Sequence, residues 1–220
     1  MLRAGELGLT LRTKILLAAE YLLLFVVLPI LLLLRKPNLP PIPLLWAVAL
    51  YCFLMLRRDP QYDRSELWNP QRLRGQLKPI LLLFALGVVL ISCLVYFFAR
   101  PLLFSFIRVH PVIWALVMLL YPVLSVYPQG IIYRAFLLQR YRHATTKKWA
   151  LILLSALAFS LMHIVFRNWI CVTLTFPGGV LFARRHLETK SLFVSSFEHA
   201  LYGCFVFTIG LGQFFFARFI

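Results

Sequence analysis

Apolar residues run almost unbroken through long stretches of this chain and give way to short connections rich in Arg and Lys. The runs predict helices over 15–34, 42–57, 79–99, 111–127 continuing through 130–142, 148–166, 169–184 and 191–216. Most of them approach the roughly 20 residues needed to cross a bilayer. The fourth is the longest and contains Pro122 and Pro128. Proline inside a membrane helix frees a carbonyl and bends the axis, so a break is expected just before Gln129, with neighbouring groups satisfying the backbone. The segment 58–78, with Asp59, Asp63 and Glu66, is the one sizeable polar loop, and its Trp68 suits a membrane interface. No internal repeat is visible.

Composition turns these runs into a fold class. With 62% hydrophobic and 14% charged residues and a mean hydropathy of +0.86, the chain departs far from the soluble average of about 25% charged. An all-α polytopic transmembrane bundle of about seven spans is expected, forming a single membrane-embedded domain over residues 1–220. The first run is longer than a signal-peptide core and lacks a small-residue cleavage site, so it should remain as a helix.

A net charge of +16 would suggest nucleic acid in a soluble protein, but these basic residues sit in the connections and no nucleic-acid partner is expected. They crowd the N-terminal segment and the connections at 57–78, 140–148 and 184–190, leaving few in the alternate ones. That asymmetry orients the bundle N-in, C-out. The absence of further domains fits a small integral protein of a bacterial inner membrane. Cys52, Cys93, Cys171 and Cys204 lie in apolar runs without C-x-x-C spacing and read as buried thiols.

The candidate chemistry is polar and sits at bilayer depth: Gln129 and Arg134, then His163, then Glu198 and His199. A cation there costs about 2.5–3.5 kcal/mol even on the lenient insertion scale, and such residues mark sites facing a bundle interior. A lone membrane histidine often serves only a helix–helix hydrogen bond. Two histidines without an evident third ligand do not make a metal site, and no cofactor is implied. Arg134 could cage carbonyls freed near Pro128 or pair with Glu198. Glu20 should pair with Lys14 or snorkel to the interface.

Three short patterns stand in order: Gln129-Gly-Ile-Ile-Tyr-Arg134, Phe159-Ser-Leu-Met-His163 and Glu198-His199-Ala-Leu-Tyr-Gly203. Over residues 112–216 the chain resembles the CAAX-prenyl-protease and bacteriocin-processing family of intramembrane endopeptidases, whose motifs read E-E-x-x-x-R, F-x-x-x-H and H-x-x-x-N/D. The resemblance implies a helical bundle that cleaves membrane-proximal peptides or proteins, with lipid around it. It implies that glutamate and histidine activate a water, and that His163 and His199 are the motif histidines. Arg134 would order the motif helix, and Phe159, one turn before His163, would wedge the imidazole.

Two departures bear on activity. Gln129 and Gly130 stand where the family has glutamates, and Gly203 stands where it has Asn or Asp. Glu198 could substitute as a base only at the pocket edge, because neighbours on a helix point about 100° apart. Two readings therefore compete: an intramembrane peptidase, or a catalytically silent homologue that binds peptides or acts as a scaffold. A small carrier or channel is disfavoured because the polar residues concentrate in one half of the chain without a repeat.

Overall fold

The structure, a computed structural model, describes residues 10–34, 41–145 and 147–215. Seven long helices are found among them: α1 Leu11–Leu34, α2 Pro41–Arg58, α3 Pro70–Phe98, α4 Pro111–Arg140, α5 Lys148–Phe166, α6 Trp169–Thr189 and α7 Leu192–Ile209. Six of them, all but α6, are long and apolar enough to cross a membrane. No strand occurs among the described residues.

Several helix boundaries differ from the hydropathy pattern for local reasons. α3 begins at Pro70 rather than 79, so part of the polar segment is already helical, and a 3-10 turn at Arg64–Leu67 precedes it. That turn is capped by Asp63, whose carboxylate accepts from the Ser65 N–H at 2.9 Å. α6 continues past 184 to Thr189 and so carries Arg184, Arg185, His186 and Glu188. α7 stops at Ile209 because Gly210 takes a left-handed φ of 107°, where other residues are strained. A 3-10 turn at Leu211–Phe215 follows, and residue 216, the expected end of the last helix, lies outside the described residues.

No break precedes Gln129. α4 is continuous, and the two prolines are accommodated by widened π-type turns at Pro122–Val126 and Ile131–Phe136, on either side of Tyr127–Gly130. Pro128 cannot donate to the carbonyl of Leu124, and the indole N–H of Trp46 in α2 donates to that oxygen at 3.0 Å. Farther on, the hydroxyl of Ser155 in α5 donates to the Tyr133 carbonyl at 2.7 Å. Neighbouring helices thus supply donors to two α4 carbonyls.

The core gathers around the second half of α4. Residues Ile131 to Leu138 are all buried against α2, α5 and α6. At Gly179 a Cβ would lie 2.9 Å from the Ala156 Cα, which measures how closely α6 approaches α5. By contrast, α3 and the first half of α4 keep large apolar side chains exposed, including Leu86, Phe97 and Leu119. In a helix this apolar such a face is suited to lipid. Cys93 lies exposed and Cys204 half-buried, whereas Cys52 and Cys171 are buried as expected; all four are free thiols.

Charged side chains tie the connections together at one end. Glu20 pairs with Arg140 (2.6 Å) and accepts from the Tyr141 hydroxyl, not from Lys14, because α1 crosses the end of α4 at that level. Asp59 accepts from Gln139 at 2.8 Å and pairs with Arg142 at 3.1 Å. Glu66 contacts Lys190 at 3.3 Å.

Candidate active site

Phe159 stands at the centre of the motif residues. Its ring centroid lies 4.8 Å from that of His163, one helical turn ahead in α5, and 5.4 Å from that of His199 in α7. The two histidines therefore flank one phenyl ring although they are 36 positions apart in sequence. His199 also stacks on Phe182 of α6, with 4.5 Å between centroids and 24° between planes. The aromatic contacts fix both imidazoles from the side.

His163 has a defined tautomer. Its Nδ1 lies 2.7 Å from the Phe159 carbonyl, which can only accept, so Nδ1 carries the proton. In the neutral ring Nε2 is then left as an acceptor. His199 forms no hydrogen bond to any described side chain or backbone group, and both residues are buried, at 9% and 6% exposed for His163 and His199.

Arg134 is placed differently from either expectation. Its Nε, Nη1 and Nη2 are buried without a hydrogen-bond partner, so it neither cages carbonyls near Pro128 nor meets Glu198. The guanidinium instead lies over the Phe159 ring at 4.3 Å and the Phe182 ring at 5.2 Å. Cation–π attraction of about 2 kcal/mol or more when desolvated offsets part of the burial cost. Arg134 thereby shares both of its aromatic neighbours with His199.

The first-motif positions lie close to α7. The Gln129 amide donates to the Ser125 hydroxyl one turn back at 2.7 Å, and its Oε1 is buried without a partner. A Cβ on Gly130 would meet Leu192 Cδ1 at 2.9 Å and Ser196 Oγ at 3.0 Å. Glycine here lets α4 press against the first turns of α7, and the direction a side chain would take from 130 is filled.

Glu198 belongs to another cluster. Its carboxylate forms two hydrogen bonds with Arg185, Nε to Oε2 at 2.8 Å and Nη2 to Oε1 at 3.0 Å, and Glu198 is fully buried. Arg185 Nη1 donates to Gln76 Oε1 of α3 at 2.5 Å. The carboxylate thus joins α7 to α6 and α3, while the next residue, His199, turns to the aromatic cluster. Of the seven acidic residues, Glu6 lies outside the described residues. The other six serve basic partners or a helix cap, and none bonds His163 or His199. No group of three or more metal-ligating side chains occurs among the described residues.

Gly203, the third-motif position, is covered by Tyr121. A Cβ at 203 would overlap the ring and hydroxyl of Tyr121, whose centroid is 6.4 Å from that of His199. The sequence reading missed Tyr121 and Arg185. A buried Glu198 needs a cation, and Arg185 was countable as that partner only once α6 was extended past 184. Tyr121 left no signal, because a tyrosine in an apolar run is unremarkable until its partner glycine is known.

Residues 110–205 match the family model described as type II CAAX prenyl endopeptidase Rce1-like. The matched span contains all three motifs and nearly coincides with the region of resemblance. No curated protein and no solved structure matches the chain.

Proposed function

We propose, with residues 110–205 carrying the Rce1-like domain of type II CAAX prenyl endopeptidases, that this chain is an integral membrane protein that binds a membrane-proximal peptide in the motif pocket without hydrolysing it. It acts as a binding partner or scaffold. One observation carries this: among the described residues, no carboxylate bonds either motif histidine, and the acid adjoining His199 is held by Arg185.

Hydrolysis needs a water held and deprotonated beside the scissile carbonyl, together with donors where the oxyanion develops. Gln129 cannot take a proton, Gly130 offers none, and Glu198 would have to leave a bidentate ion pair to do so. Binding needs less. His163 Nε2 can accept from a peptide N–H, and a ring N–H of His199 can donate to a carbonyl. Phe159 and Phe182 give both rings an apolar backing. The competing reading, with Glu198 as a substitute base, would require breaking a buried charge pair, which costs several kcal/mol.

The test is direct binding. A fluorescent tetrapeptide amide anchored by an N-terminal palmitoyl chain, added to the full chain in nanodiscs, should bind saturably by fluorescence anisotropy. Binding should be lost in His199→Ala and remain unaccompanied by cleavage on mass spectrometry. Failure of the unaltered chain to bind, or equal binding by His199→Ala, would overturn the proposal.

A further inference from the structure

Gly203 and Tyr121 form a matched pair that the motif comparison alone does not explain. His199 and Gly203 are one turn apart on the same face of α7, and the side-chain volume missing at 203 is occupied by the ring and hydroxyl of Tyr121 from α4. The ring also packs edge-on against Phe207, with centroids 5.2 Å apart and planes at 69°. Only glycine at 203 leaves room for it. Tyr121 is half-buried, and its hydroxyl makes no hydrogen bond with any described residue. Tyr121 presents this donor near His199, which likewise bonds none of the described residues, with 6.4 Å between the ring centroids.

We propose that Tyr121 is a ligand-contacting residue of the motif pocket, its hydroxyl donating to an acceptor oxygen of the bound peptide over Gly203. This rests on the peptide-binding reading above. A donor that another protein could place on α7 at 203 is here delivered from α4, and His199 and Tyr121 together offer two donors to one carbonyl. The pairing also gives the glycine a reason: any larger residue would push the phenol away from His199.

The nanodisc assay with the palmitoylated tetrapeptide amide tests this through two variants. Tyr121→Phe removes only the hydroxyl and should weaken binding about 5- to 10-fold, the range for one neutral hydrogen bond. Its melting temperature should not fall, because the hydroxyl has no partner among the described residues. The paired exchange Tyr121→Ala with Gly203→Asn returns a donor from α7 and should bind within about 3-fold of the unaltered chain, on the same scale. Unchanged affinity in Tyr121→Phe, with His199→Ala still abolishing binding, would overturn the role of Tyr121 and leave the peptide-binding pocket standing. A lowered melting temperature in Tyr121→Phe would assign the hydroxyl a structural role and also overturn it. No binding by the unaltered chain would overturn the pocket reading and this inference with it.

Discussion

Glu198 and Arg185 face each other in a buried, two-bonded ion pair, at 2.8 and 3.0 Å, on the packed faces of α7 and α6. Removing one partner strands the other charge out of water. Arg185→Met should therefore destabilise the protein by about 3–5 kcal/mol, read as a lowered melting temperature in detergent. The double change Arg185→Met with Glu198→Leu should recover most of the loss. If Arg185→Met alone is neutral, the pair is not buried as described.

Arg134 gives the opposite expectation although it is equally buried. Among the described residues it has no anion and no hydrogen-bond acceptor, and its desolvation is offset by stacking on Phe159 and Phe182. Arg134→Met keeps the apolar stem and removes the charge, and should leave stability unchanged or raise it by about 1–4 kcal/mol. A loss comparable to that of Arg185→Met would mean that the guanidinium has a partner.

The contrast between these arginines shows what was legible in the sequence. Helix number and class followed from the apolar runs, and Arg134, His163 and His199, read in order as motif residues, all contact Phe159. Side-chain partners did not follow. Glu198 could have met Arg134 or a backbone donor, and only the extension of α6 to Thr189 brought Arg185 opposite it. Pro122 and Pro128 predicted a break, because hydropathy does not reveal that Trp46 would supply the missing donor to Leu124. Gly130 and Gly203 read as lost functional groups, whereas packing shows each making room for a neighbour: Leu192 and Ser196 at one, Tyr121 at the other.

Asp59 supplies a pH dependence at the rim of the bundle. Burial pushes its carboxyl up, but hydrogen bonds from Gln139, the Gln61 backbone and Arg142 outweigh that, and the pKa falls below the ordinary 3.8. A depressed folded-state value means that the stabilisation is fully present above the unfolded value and is lost as pH falls through the folded one. Asp59→Asn should cost about 0.5–1 kcal/mol at neutral pH, the size of a partly exposed ion pair. The difference from the unaltered chain should shrink as pH falls below 3.8 and through the lowered folded-state value. A constant difference across that range would exclude this linkage.

Orientation is open to labelling. The Lys/Arg asymmetry predicts that the 139–148 connection lies inside and the 100–108 connection outside. In a background without the native cysteines, a membrane-impermeant thiol reagent should reach Arg108→Cys in intact cells and His143→Cys only after permeabilisation. Labelling of both from one side would contradict the seven-span, N-in arrangement.

Peptide hydrolysis in the proposed motif pocket would require a carboxylate beside His163 or His199, and among the described residues none bonds either ring. The most direct measurement is cleavage of the palmitoylated tetrapeptide amide by the purified full chain in nanodiscs, followed by mass spectrometry over extended incubation. The chain is predicted to leave the bound peptide intact, since losing a positioned acid–base group removes about 10²–10⁴-fold in rate. Cleavage that disappears in His163→Ala, His199→Ala and Glu198→Gln would contradict the claim and make Glu198 the base despite its pairing with Arg185.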